Sequence, residues 1–205
     1  PDAKAVLVNN PTYYGICSDL RKIVEIVHRH GMKVLVDEAH GTHFYFGDGL
    51  PPSAMSCGAD MASVSVHKTG GSLTQSAILL LGKGIDPNYV RQIINLTQTT
   101  SASYLLMVSL DLARQNLALH GREFYAKTVE FADYARKEIN AIGGYYAFGE
   151  ELCDGKAFYA FDRTKLSVHT RAMGLAGIEV YDLLRDEYDI QIEFGDIGNI
   201  LAIIT

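Results

Sequence analysis

The chain has 205 residues, 48% of them apolar and 20% charged, with 19 Gly and 5 Pro. That composition is globular and excludes collagen-like, low-complexity and disordered chains, and the length suffices for one large or two small domains. The net charge of −6 argues against a nucleic-acid-coating or membrane-surface protein, since both need a basic face.

The longest apolar run, around Ala77–Leu81, is far short of the ~20 residues a bilayer-spanning helix needs. Cys17, Cys57 and Cys153 are odd in number and form no CxxC pair. They read as free thiols in a reducing, cytoplasmic setting, and no metal site is expected. The chain opens without Met or a signal-peptide pattern, and both ends read as strands. It is therefore expected to be part of a longer protein.

In chain order, Ala5–Val8 predicts a buried strand, broken by Asn10-Pro11-Thr12. Ser18 or Asp19 caps a helix with Leu20, Ile23, Val24 and Val27 on one face and Gly31 at its end. Lys33–Asp37 predicts a second strand, so residues 5–37 form a parallel β-α-β unit with a right-handed crossover. A Gly-studded loop and a short helical turn ending near Gly58 lead to strands Met61–Val66 and Ser76–Leu81. Tyr89–Leu96 reads as helical, and the polar run Thr97–Ser103 interrupts it. Two long helices follow, Tyr104–Leu119 and Arg122–Ile142, separated by Gly121 and closed by Gly143-Gly144. Phe158–Phe161, Ile190–Phe194 and Ile200–Ile204 predict strands, and Gly177–Tyr188 a helix, as at the start of a smaller α+β domain. The division is placed at 1–150 and 151–205, with Tyr125, Tyr134, Tyr145 and Tyr146 read as packing residues.

Ligands of open α/β sheets bind beyond the carboxyl ends of the strands. Asp37-Glu38-Ala39-His40 follows a wholly apolar strand, where an acid can hold a metal ion or a protonated ring nitrogen. The same letters occur in helicases, but those need a G-x-x-x-x-G-K-[ST] loop upstream, which the chain lacks. The second site is the run Ser63–Ala77, with Lys68 at the end of an apolar strand. Burial there favours the neutral amine that an imine-forming nucleophile requires. The neighbouring hydroxyls and Gly70-Gly71 leave room and donors for a phosphate. By strand alternation, Ser65 and His67 share a face that Lys68 does not. His28 and His30 read as helix C-terminal residues complementing the dipole, and the His40/His43 spacing is discounted as a metal signal.

The S-x-S-x-H-K-x-x-G-S/G-x-T-Q-S-A run resembles the pyridoxal-phosphate (PLP) attachment signature of the bacterial ornithine/lysine/arginine decarboxylases, which are fold type I PLP-dependent enzymes. Asn10-Pro11-Thr12-Tyr13, Asp37-x-Ala39-His40, the Lys68 strand and Thr97–Tyr104 fall in the family's order. The chain most resembles the shorter, Gram-positive-type members. The resemblance implies an α/β fold: the C-terminal portion of the PLP-binding large domain, a mostly parallel sheet with helices on both faces, then the start of the small domain. It implies that Lys68 holds PLP as a Schiff base, that Asp37 pairs with the pyridine nitrogen, and that Ala39 lies against the ring. His40 would meet the ring 3-oxygen, while Ser65 and His67 would lie near the phosphate. His67 and Lys68 are both candidates to protonate the α-carbon. Thr100 and Ser101 would reach a partner subunit's phosphate, Asn10 would lie on the cofactor side and Tyr13 on the substrate side.

The implied activity is decarboxylation of arginine, lysine or ornithine to CO₂ and a polyamine-type amine, in a homodimer or higher homo-oligomer without nucleic-acid or membrane partners. An aminotransferase, an aldolase-like lyase, or an inactive scaffold keeping only the dimer face are the alternatives, because Asp37 and Lys68 would serve any of the enzymes.

Overall fold

The computed structural model describes residues 2–205 and opens with the expected β-α-β unit. Strand β1 (Ala5–Asn9) is followed by the two-residue β2 (Ile16–Cys17), helix α1 (Leu20–Arg29) and β3 (Lys33–Asp37). β1 and β3 pair in parallel, with Val6 opposite Val34 and Val8 opposite Val36, as a crossover helix allows. Asp19 caps α1 by accepting from the Lys22 amide. Leu20, Val24 and Val27 then pack in one cluster with Val34, Val36, Ala54, Cys57 and Ala62.

β4 (Met61–Ser65) joins β3 in parallel. The expected strand to Val66 stops one residue early because Val66–Thr69 winds into a helical turn, α2. His67 and Lys68 therefore leave the strand, and period-2 alternation no longer relates them to Ser65. β5 (Ala77–Leu81) runs antiparallel to β4 and completes the order β1-β3-β4-β5. The two faces of this sheet differ. Val34, Val36, Ala62 and Val64 are buried, whereas the alternating set Leu7, Leu35, Met61 and Leu79 borders an open cleft of about 310 Å³, with Leu7 73% exposed.

Helix α3 (Pro87–Thr97) is capped by Asp86, which accepts from the Asn88 amide, and has Pro in its first turn. The two long helices expected on either side of Gly121 are one 39-residue helix, α4 (Tyr104–Ile142). Glycine costs only about 1 kcal/mol inside a helix, and at Gly121 its lack of a side chain is used: a Cβ there would lie 2.8 Å from Phe46 Cβ. Ala113, Leu117, Gly121, Tyr125, Thr128 and Ala132 form the buried stripe of α4 at helical spacing. Of the tyrosines read as packing residues, Tyr125 is buried, whereas Tyr134 and Tyr146 are exposed.

The last third contributes β6 (Tyr146–Phe148), β7 (Ala160–Phe161), β8 (Lys165–His169), α5 (Gly177–Tyr188), β9 (Phe194–Gly195) and β10 (Asn199–Ile203). β6, β8, β10 and β9 form an antiparallel sheet in that order. Ala147, Leu166 and Val168 of this sheet pack with Ala135 and Ile139 of α4. β6 and β8 are additions to the expected strands, and Ile190–Phe194 contracts to the two-residue β9. Gly177 starts α5 where only glycine fits, because a Cβ there would lie 2.0 Å from the Asn199 carbonyl oxygen. β7 joins neither sheet but pairs with β2, Ile16 opposite Phe161.

Candidate active site

The β2–β7 pairing draws the segment after β7 beneath the loop that follows β3. The Asp162 amide donates to the Gly15 carbonyl, and the stem of Lys165 crosses Gly15, where a Cβ would come within 2.8 Å of Lys165 Cγ. Gly15 has a φ of +91°, so both the turn and the close approach require glycine. Two buried polar groups of residues result, one around His43 and one around His40.

His43 is fully buried, and Nε2 lies 2.9 Å from Asp162 Oδ2. Nδ1 lies 3.3 Å from Thr69 Oγ1, and the Thr164 hydroxyl donates to Asp162 Oδ1 at 2.8 Å. Burial alone would raise the Asp162 carboxyl, but His43, Lys165 and Thr164 hold it below the usual carboxylate range. Tyr125 of α4 donates to the Thr69 carbonyl at 2.6 Å. The α2 turn is thus tied to the loop after β3, to α4 and to the segment after β7.

His40 is buried with Nε2 3.1 Å from Lys68 Nζ and Nδ1 3.3 Å from Lys165 Nζ. Burial, then Lys165 and Lys68, push its imidazole down to about 3, so the ring is neutral at physiological pH. Tyr13 lies over it with ring centroids 4.2 Å apart and lines one cleft of about 560 Å³ with Asp37, Ala39, His40 and Lys68. Lys68 is exposed in this cleft, which corrects the expectation of a buried strand-end amine. Tyr13 donates to Glu193, and burial together with Glu193 pushes the Tyr13 hydroxyl up to about 12.

Asp37 Oδ1 accepts from the Ala39 amide at 3.1 Å, and the residue is otherwise exposed at the end of β3. The adjacent Glu38 points inward instead, accepting from the Ala54 amide at 2.8 Å and from the Tyr45 hydroxyl at 2.5 Å. Asn10 is buried, and its Oδ1 accepts from the Ser18 amide; the cleft is lined by the neighbouring Asn9. Ser65 precedes α2, and its carbonyl accepts from Thr42. His67 Nδ1 donates to the Ser76 carbonyl at 2.9 Å and borders, with Lys68, Gly70 and Gly71, a second cavity of about 390 Å³ against α4. Thr100 and Ser101 are exposed at the turn between α3 and α4 and line neither space. His28 pairs with Asp60 at 2.7 Å rather than serving only the helix end.

The sequence reading discounted His43 and missed Asp162, Thr164, Lys165 and Glu193. Asp162-Arg163-Thr164-Lys165 reads locally as a polar turn. The one signal of more was that a Lys-Leu-Ser-Val-His strand begins there, which places a lysine in a buried layer.

A family model described as Orn/Lys/Arg decarboxylase, major domain, matches residues 1–170. The chain is 50% identical over 206 aligned residues to a protein named arginine decarboxylase from Halalkalibacterium halodurans, and 48% to one of that name from Bacillus subtilis. Each match takes in 100% of this chain and 42% of the relative, so the chain spans about two fifths of the length of these curated relatives. Among solved structures, the Francisella novicida lysine decarboxylase LdcF superposes with a TM-score of 0.79 at 19% identity, covering 98% of this chain and 33% of that one. The alanine–glyoxylate aminotransferase from Nostoc sp. gives 0.71 at 15% identity, covering 96% and 55%. At such identities the likeness shows the fold alone, which is the fold type I α/β architecture with a mainly parallel sheet.

Proposed function

Since the chain belongs to the Orn/Lys/Arg decarboxylase family, we propose that it serves the PLP-dependent decarboxylation of a basic amino acid, arginine foremost. The observation carrying this reading is the single cleft in which Asp37, Ala39, His40, Tyr13 and Lys68 meet. Arginine is favoured because four relatives of that name are 45–50% identical to this chain.

The donor set suits PLP: an amine at Lys68, a carboxylate at Asp37, and the small Ala39 where a flat ring needs clearance. When bound, PLP supplies the electron sink that loss of CO₂ from the α-carbon requires. Lys68 offers the amine that holds the cofactor. Asp37 keeps one oxygen on the Ala39 amide, and its other oxygen would pair with the cationic ring nitrogen of the cofactor. Tyr13 keeps its proton and directs it to Glu193, which holds the Tyr13 ring on the cleft wall over His40. Lys68, which borders both this cleft and the cavity that His67 lines, is the nearer candidate to carry a proton to the α-carbon, with His67 behind it and its Nδ1 donating to the Ser76 carbonyl. Polyamine-type amines are the products on this reading.

The exposed apolar residues of α3 and the first half of α4, among them Tyr89, Leu96, Tyr104 and Leu105, are the face through which the protein forms a homodimer. Thr100 and Ser101 sit within that face and would approach the partner's phosphate. No helix among the described residues is long and apolar enough to cross a membrane, and the three free cysteines accord with the reducing cytoplasm.

The test is borohydride reduction of the full-length protein with PLP, peptide mapping, and a screen of arginine, lysine and ornithine for CO₂ release. Pyridoxyl label on Lys68, CO₂ from arginine, and loss of both in Lys68→Ala are expected. Absence of label from Lys68 overturns the reading.

A further inference from the structure

Two adjacent carboxylates end β3 and its first turn, and they differ in exposure. Asp37 lines the cleft, whereas Glu38 is fully buried. The Glu38 amide donates to the Ser63 carbonyl at 3.0 Å, and the Glu38 carbonyl accepts from the Gly41 amide at 2.9 Å. The turn closes tightly over the side chain: a Cβ on Gly41 would lie 2.5 Å from Glu38 Cγ. At its far end, Oε1 accepts from the Ala54 amide and Oε2 from the Tyr45 hydroxyl. Ala54 belongs to the apolar cluster of the first sheet, and Tyr45 to the helical turn Thr42–Tyr45. Burial pushes the Glu38 carboxyl up to about 7, but the bridge does not depend on that proton. When the carboxyl is protonated, Oε2–H donates to the tyrosine oxygen and Oε1 still accepts from the amide.

We propose that Glu38 is a positioning residue, a post on which the Asp37–Gly41 turn is set so that Ala39 and His40 face the cleft at a fixed place beside Asp37. The sheet already holds the Asp37 backbone, whose carbonyl accepts from the Asn10 amide. What Glu38 adds is the placement of Ala39, whose amide orients the Asp37 carboxylate, and of His40 next to it. Lys68 stands on α2, outside this turn. No bond is made or broken by the arrangement.

The catalytic consequence rests on the function proposed above, but the setting of the turn does not, and the two are read separately. The experiment is hydrogen–deuterium exchange of the full-length protein without PLP, followed by mass spectrometry of peptides covering 37–45 and 177–188. In Glu38→Ala, exchange over 37–45 is expected to rise about tenfold or more while 177–188 is unchanged. Glu38→Gln accepts from Ala54 through its oxygen and donates to Tyr45 through its nitrogen, and is expected to stay within about twofold of wild type. With PLP restored, Glu38→Ala should keep the borohydride label on Lys68 but lose about tenfold or more in kcat, which Glu38→Gln restores. Wild-type exchange in Glu38→Ala overturns the proposal, as does a Glu38→Gln as fast as Glu38→Ala, or a labelled Glu38→Ala with wild-type kcat. A wild type that takes no label overturns the functional reading alone, and the exchange data then decide the turn. Should Glu38→Ala not fold, Tyr45→Phe decides, because it removes the Oε2 contact alone: faster exchange over 37–45 is expected, and unchanged exchange overturns the proposal.

Discussion

At the scale of single residues, His43 and Asp162 are the most costly pair to disturb. Both side chains are sealed from solvent and meet at 2.9 Å. The folded-state pKa of Asp162 lies below that of the unfolded chain, so its contribution to stability is complete above the unfolded value of roughly 3.9 and is lost as pH falls through the folded one. His43→Ala leaves a buried carboxylate without its main partner and is expected to cost about 3 kcal/mol, read as a fall in the urea midpoint at unchanged m-value. His43→Gln keeps a donor and should cost about 1 kcal/mol. The sequence offers His43 only as a loop histidine three residues from His40. Its partner lies 119 residues away, and no local spacing encodes such a contact.

Among the elements, α4 governs the geometry of the α2 turn. Its buried stripe includes Gly121 against Phe46 and Tyr125 against the Thr69 carbonyl. Gly121→Ala sets two effects against each other. Alanine gains about 1 kcal/mol of helix propensity, whereas overpacking a tight contact costs about 1–3 kcal/mol. At 2.8 Å from a Cβ held close to its own backbone, the clash is expected to win, with a net loss of about 1 kcal/mol by thermal melting. Tyr125→Phe is expected to cost about 1 kcal/mol through the lost hydrogen bond. A glycine inside an amphipathic run reads as a break until the residue packed against it is known. That explains why one helix reads as two.

At the scale of the molecule, apolar surface stands open on the sheet face around Leu7, on α3 and on the outer stripe of α4. Leu105, Val108 and Leu112 lie at i, i+3 and i+7, and each is more than half exposed. Exposed stripes of this kind mark association surfaces. On the proposed homodimer, the double variant Leu105→Glu/Leu112→Glu of the full-length protein is expected to raise the dimer dissociation constant more than tenfold. Sedimentation velocity would show this as a shift toward monomer at micromolar concentration. An unchanged sedimentation coefficient would place the dimer face elsewhere.

The sequence by itself determined the β-α-β unit, the four strands of the first sheet in outline, the helical stretches apart from the continuity of α4 through Gly121, and the family, because these depend on contiguous patterns: alternation, helical spacing, caps and the run Ser63–Ala77. It also marked Asp37, His40 and Lys68, which are polar residues set just beyond apolar strands. The tertiary structure alone decided that Lys68 leaves its strand on a helical turn, that β2 pairs with β7, and that Asp162 and Lys165 thereby come beneath His43 and His40. The physical reason is that burial of a charge is set by what the rest of the chain places around it. The same Lys165 that reads as a solvated turn residue becomes, once β8 enters the second sheet, an enclosed amine directed at an imidazole.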